Sequence, residues 1–234
     1  MPHELFNDIT DDGIAAIRDG RIIEEVSPRE GGRWGLSVVF RLTGWVAEQL
    51  GVVTAEAVEV LGEQHWRSGS RGSAHITIRA LDNYSTRALT AESLGDYLVP
   101  VRRAVADLAP VRFEFEGLAV SANTLMACAD DVDGTAGDLR RRIHAELGEK
   151  GWLENSYFAN ERDPIWYATL VHFTRALDDA GRFIDWFSKN RTRSLGSALF
   201  NRVDLCRWRF ETTRMVPDVV ASVGFGQSRS GVDS

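Results

Sequence analysis

Two short runs of the chain place a threonine two residues after a histidine. They are Ala74-His75-Ile76-Thr77-Ile78-Arg79-Ala80-Leu81 and Leu170-Val171-His172-Phe173-Thr174-Arg175-Ala176-Leu177. An imidazole, with an ordinary pKa of about 6.5, takes or gives a proton near neutral pH. A hydroxyl beside it can hold a charged oxygen in a transition state. Two such pairs facing each other would supply a base, an acid and two oxyanion partners, the set that in-line acid–base chemistry at a phosphate requires. The other three histidines, His3, His65 and His144, lie in polar or helical surroundings. His65, with Trp66, reads as structural or as part of a loop.

Both runs are rich in β-branched and aromatic residues, the composition of a strand. A strand alternates its side chains between two faces. His75, Thr77 and Arg79 therefore share one face, with Ile76 and Ile78 on the other. Likewise His172 and Thr174 share a face, with Val171 and Phe173 opposite. On this reading Arg79 either adds positive charge beside His75 or solvates the strand end. Trp166 and Tyr167 lie just before the second run, where core packing is the expected use of their rings.

The elements that must position these runs follow from periodicity. Strands are expected over 33–43, 111–120, 124–129, 197–210 and 216–225, besides 74–81 and 165–175. In 111–120, Val111, Phe113 and Phe115 alternate with Arg112, Glu114 and Glu116, and Gly117 marks a bulge. Helices are expected over 45–62, 91–109, 135–148 and 178–190. Asp130-Asp131-Val132-Asp133-Gly134 reads as the acidic start of the third of these, which the helix dipole favours, and not as a calcium loop. Ser68-Gly69-Ser70-Arg71-Gly72-Ser73 reads as a mobile loop. The order predicts an α+β fold of two pseudo-symmetric lobes, each an antiparallel sheet flanked by helices, with an active-site cleft between them.

Residues 1–32 form an acidic, glycine-broken extension. Asp11-Asp12-Gly13 reads as a turn, residues 14–23 as a short helix and Glu30-Gly31-Gly32 as a linker. The main domain is expected over 33–226 and a flexible tail over 227–234.

Composition excludes several classes. The net charge of −7 disfavours a general DNA or RNA coat. Its 44% hydrophobic content supports a folded core. No apolar run approaches the roughly 20 residues of a membrane helix, and no secretory signal opens the chain. Cys128 and Cys206 have neither metal-ligand nor disulfide-framework spacing, so a cytoplasmic setting is expected. Lys150 and Lys189 are the only lysines; the other cations are arginines, which suit bidentate phosphate contacts.

Paired His-x-Thr strands, one per lobe, resemble the 2H phosphoesterase superfamily, and within it the 2′-5′ RNA ligase and cyclic phosphodiesterase group. The resemblance covers roughly Gly35 to Phe225 and leaves the acidic extension unexplained. Ile78 keeps the apolar residue that follows the threonine in that group; Arg175 departs from it. The resemblance implies catalytic histidines at His75 and His172 and phosphate-binding hydroxyls at Thr77 and Thr174. It also implies opening of a nucleoside or RNA-end 2′,3′-cyclic phosphate; two-histidine chemistry needs no metal or other cofactor, and a monomer is expected. Two alternatives stand beside it. One is a module of the same fold that binds a nucleotide or RNA end without turnover; the other is a two-histidine enzyme on a specialised-metabolism substrate. The absence of a Gly-x-Ser-x-Gly elbow disfavours a Ser–His–Asp hydrolase.

Overall fold

The structure is a computed structural model and describes residues 6–148 and 165–226. The sequence shows no periodic element over 151–164; that stretch and the expected tail lie outside them. Among the described residues the fold is α+β, with five helices and nine strands. In chain order these are α1 (Asn7–Arg18), β1 (Ser37–Arg41), α2 (Gly44–Leu61), β2 (Trp66–Arg67), β3 (His75–Ala80), α3 (Ala91–Ala104) and β4 (Val111–Val120). There follow β5 (Thr124–Asp131), α4 (Thr135–Leu147), β6 (Trp166–His172), α5 (Ala180–Asn190), β7 (Ser194–Phe200), β8 (Arg202–Glu211) and β9 (Arg214–Gly224). No helix among the described residues is long and apolar enough to cross a membrane.

Where the pattern is strong, the elements follow it. Val111, Phe113 and Phe115 of β4 are buried while Arg112, Glu114 and Glu116 are exposed. The register against β5 slips between Phe115 and Leu118, at Gly117, whose φ is +81°. Helix α2 buries Val46, Leu50, Val53, Ala57 and Leu61 along one stripe. Thr90 and Ser93 form a reciprocal capping box at the start of α3. The Asp131 carboxylate accepts the Ala136 and Gly137 amides at the start of α4 (3.2 and 2.8 Å), two donors that the first turn cannot satisfy itself.

The strands form one sheet in the order β2-β9-β8-β1-β3-β6-β5-β4-β7, with β2 also paired to β6. The two histidine strands are neighbours, joined by the pairing Ile76↔Ala168. On either side the ladders are long: β5 lies along β6 from Thr124↔His172 to Ala129↔Trp166, and β1 lies along β3. Phe40 from β1, Phe113 from β4 and Trp166 from β6 meet edge to face in the core (5.6 and 5.5 Å).

Three expectations change. The single strand predicted over 197–210 is two strands: β7 pairs with β4, while β8 pairs with β1 and β9. Asn201 and Arg202 are both exposed, which breaks the alternation where the chain leaves one neighbour for another. The helix predicted over 14–23 is α1, so Asp11-Asp12-Gly13 lies inside a helix and not in a turn. A Cβ at Gly13 would overlap the Val120 carbonyl, so glycine there permits close packing on β4. The expected linker Glu30-Gly31-Gly32 is pinned: Gly31 N–H donates to Tyr84 O and Tyr84 N–H to Gly32 O, both 2.8 Å. The Glu30 carboxylate accepts Ser85 Oγ (2.6 Å) and the Thr86 amide (2.8 Å), which hold its pKa below the usual value.

Candidate active site

His75 opens β3 and His172 closes β6, and the antiparallel pairing brings those two ends together. Each strand carries one extra residue. In β3, Val38↔Arg79 is followed by Val39↔Thr77, so Ile78 has no partner on β1. In β6, Leu125↔Val171 is followed by Met126↔Thr169, so Leu170 has no partner on β5. A bulge shifts the alternation by one residue. Beyond Ile78 it is Ala80, not Arg79, that returns to the face of His75 and Thr77. Beyond Leu170 it is His172 that joins the face of Tyr167 and Thr169.

That shared face lines a cavity of about 580 Å³, whose walls include His75, Thr77, Tyr167, Thr169, His172, Thr124, Arg140 and Trp208. The size is that of a small-molecule site. His75 is 7% exposed; its Nδ1–H donates to Ser73 O (2.8 Å), which leaves Nε2 as the acceptor nitrogen. Its ring lies against Trp208, centroids 4.2 Å apart. His172 is 3% exposed and meets the edge of Trp34 at 4.9 Å and 90°. Its Nδ1 has no hydrogen-bond partner among the described residues. Burial pushes the pKa of His75 down to about 4, and the Arg41 charge acts in the same direction. Burial pushes His172 down to about 3, aided by the charge of Arg33 and by His75. Both imidazoles are thus neutral at pH 7 while the cavity holds no ligand.

Of the four residues predicted from the motifs, His75, Thr77 and His172 line this cavity and Thr174 does not. The second strand ends at His172, short of the expected Arg175. Thr174 Oγ1 donates to Gln64 O (3.1 Å) and its N–H donates to His65 Nδ1 (3.2 Å). His65 is fully buried and serves as an anchor for the chain leaving β6. Its own pKa is lowered, first by burial and then by Arg175. The face predicted for Arg79 is also corrected. The bulge turns it away from His75 into full burial beside α4, where Nη1 donates to His144 Nδ1 (2.9 Å).

The Ser68–Ser73 loop is packed at its two ends, where Ser68, Gly69 and Ser73 are buried, while Arg71 and Gly72 are exposed. β2, which no periodicity announces, pairs Trp66↔His172 and Arg67↔Val171 along the edge of β6 that β3 uses further back. Where one neighbour gives way to the other, the Ser68 and Gly69 amides both donate to Leu170 O, the bulge carbonyl (2.9 and 3.0 Å). A Cβ at Gly69 would overlap Thr54 Oγ1. The bulge at Ile78 has its own clamp: Arg140 Nε donates to Ile78 O (3.0 Å), with the guanidinium over Trp166 at 3.7 Å.

Sequence reasoning missed the segment 31–35, which forms one wall of the cavity with Arg33 and Trp34. Trp34 has φ +76°, unusual and strained for a residue with a Cβ. Arg33 lies over its ring at 5.0 Å and pairs with the buried Glu25 at 2.9 Å. The same Glu25 oxygen accepts Asn123 Nδ2 (2.7 Å), and the Glu25 N–H donates to Phe173 O (2.7 Å). The extension thus ties itself to the residue beside His172.

The fold is the one seen in solved structures of Escherichia coli LigT and of a phosphoesterase. In particular, the chain superposes on Escherichia coli LigT complexed with 3′-AMP (TM-score 0.59, 12% identity, 83% of this chain and 99% of that one). It also superposes on a Thermus thermophilus protein (0.56, 16%, 83% and 100%) and on a phosphoesterase (0.55, 12%, 83% and 99%). No family model matches the sequence, and no curated protein matches it in sequence. The fold resemblance read from the two His-x-Thr runs is therefore shown, and at these identities it is a likeness of fold.

Proposed function

We propose that the protein is a metal-independent phosphodiesterase that opens the 2′,3′-cyclic phosphate of a nucleotide or RNA end. The observation that carries this reading is the common cavity of His75, His172 and Thr77, two buried imidazoles and a hydroxyl on one bulge-aligned face. The reading takes 33–226 as one bilobal domain whose halves meet at the β3–β6 pairing. The nucleotide ligands of the fold neighbours support it: LigT structures hold 3′-AMP, ATP and NADP+.

In the proposed reaction His75, with Nδ1–H held by Ser73 O, takes a proton from water at Nε2 as the water oxygen attacks phosphorus. His172, protonated once the phosphate anion is bound, gives its proton to the leaving ribose oxygen as the P–O bond breaks. A bound anion raises the proton affinity of an imidazole that burial has lowered. Thr77 holds a non-bridging oxygen, and Arg33 and Arg140 set a positive potential at the cavity wall. Thr174 acts at a distance, holding the end of β6 through Gln64. Tyr167 and Trp208 offer ring surfaces to the nucleoside.

The test is turnover of the four nucleoside 2′,3′-cyclic phosphates in EDTA, wild type beside His75→Ala and His172→Ala. Product that vanishes in both variants supports the two-histidine mechanism; turnover that survives in either removes that histidine from it. A second reading, nucleotide binding without turnover, is favoured by the Thr174 hydroxyl being spent on Gln64 O. It predicts saturable 3′-AMP binding and no product from folded wild type.

A further inference from the structure

We propose that Trp34 is a positioning residue for His172, held there by the 31–35 segment in which the extension joins the main domain. His172 ends its strand with its backbone paired to Trp66 and Thr124, and Phe173 beyond it is held by Asn123 O and the Glu25 amide. The backbone is thus fixed, and what remains to be set is the rotation of the ring. Its Nδ1 lacks a hydrogen-bond partner among the described residues, unlike the Nδ1 of His75, which donates to Ser73 O. The contact that orients the His172 ring is the perpendicular edge of Trp34 at 4.9 Å. A ring in a T-shaped pair is favoured in one orientation over its rotated alternatives.

The segment is built to keep that contact. Trp34 takes a left-handed backbone conformation, which is unfavourable for an L-residue and must be imposed from outside. It is imposed on both sides. Before it, Gly31 and Gly32 share two backbone hydrogen bonds with Tyr84; after it, Gly35 sits so close to the Asp82 carbonyl that a Cβ would overlap it. The charged and titratable groups around His172 are Arg33 from the same segment, His75 from β3, and Glu25, which pairs with Arg33 and donates its N–H to Phe173 O. The expected likeness to other phosphoesterases starts at about Gly35, and the superposition covers 83% of this chain. Trp34 lies at the edge of that expected likeness, directly before Gly35.

The kinetic arm of the test rests on the proposed phosphodiesterase activity; the spectroscopic arm does not. The imidazole ¹⁵N and ¹H signals of His172 are followed through a pH titration in wild type, Trp34→Gly and Trp34→Phe. Glycine removes the ring and relieves the left-handed strain, so folding is retained; the His75 signals serve as the internal control. Expected is a broadened or shifted His172 ring signal in Trp34→Gly, with its titration midpoint displaced upward, restoration in Trp34→Phe, and no change at His75. With cyclic phosphate as substrate, kcat falls by up to about a hundredfold in Trp34→Gly, with KM changing less and the alkaline limb of the pH profile, which reports the proton donor, shifted upward. His172 signals identical in Trp34→Gly and wild type would overturn the proposal, whether or not the protein turns over cyclic phosphates.

Discussion

Ile78 and Leu170 occupy equivalent positions in two different strands: each is the unpartnered residue of a bulge, and each bulge lies beside a histidine. The first sends Arg79 to α4 and keeps Thr77 beside His75. The second turns His172 onto the face of Thr169. Both bulge carbonyls are claimed, Ile78 O by Arg140 and Leu170 O by the Ser68 and Gly69 amides. Such shifts aim side chains at a site that a regular ladder would miss.

Removing either imidazole is expected to cost about 10²–10⁴-fold in kcat, the usual contribution of a positioned acid or base. His75→Ala and His172→Ala assayed on 2′,3′-cyclic nucleotides, with circular dichroism as the folding control, check this.

The same histidines make stability pH-dependent. Their folded pKa values, about 4 and about 3, lie below the ordinary value, so between that value and those limits the unfolded chain binds protons that the native state refuses. Stability contributed by the neutral rings is full above about pH 6.5 and falls as the pH drops towards 4 and 3. Urea midpoints measured across this window should decline, and decline less steeply in His172→Gln than in wild type.

A phosphate anion entering the cavity should bring a proton with it, because it stabilises an imidazolium that burial disfavours. Calorimetric titration with 3′-AMP in buffers of different ionisation enthalpy should show net proton uptake, and affinity should rise from about pH 8 to about pH 6. Binding with no proton exchange would place the anion away from both histidines.

Gly35→Ala forces a Cβ into the Asp82 carbonyl, a backbone atom that cannot swing aside. A loss of about 1–3 kcal/mol is expected from such overpacking, measured by chemical denaturation, together with a change in Trp34 fluorescence.

Much of this architecture was legible in the sequence because it is local. Val111 to Glu116 alternate and form β4; Val46 to Leu61 recur at helical spacing and form α2; both histidines lie in strands. What was hidden depends on partners distant in the chain. A bulge at Ile78 exists only relative to β1, so alternation alone put Arg79 on the wrong face. β2 is two residues long and has no period to read. Asn201 divides a strand because β4 and β1 lie in different places, which the run from Ser197 to Phe210 does not record. Thr174 keeps the motif's letters, but its strand stops two residues earlier because Phe173 and Thr174 bond to Asn123 and His65 instead of continuing the ladder. Arg33 and Trp34 read as the start of the strand expected over 33–43, but β1 begins only at Ser37 and these two residues form a wall of the cavity; a tryptophan set among three glycines was the available signal.

Since β2 bonds to both β6 and β9, six strands, β2-β9-β8-β1-β3-β6, form a circuit with no free end. Both imidazoles and Trp208 ride on it. The separation of the histidines is therefore not a matter of β3 and β6 alone, which share the single pairing Ile76↔Ala168. To spread them, a ladder must open somewhere around the loop. Its weakest joint besides that pairing is the parallel bridge Arg67↔Arg214, between two residues outside the cavity wall. Breaking that joint would turn the hoop into an open ribbon in which, along the strands, only the Ile76↔Ala168 pairing holds His172 near His75, without touching a residue of the cavity.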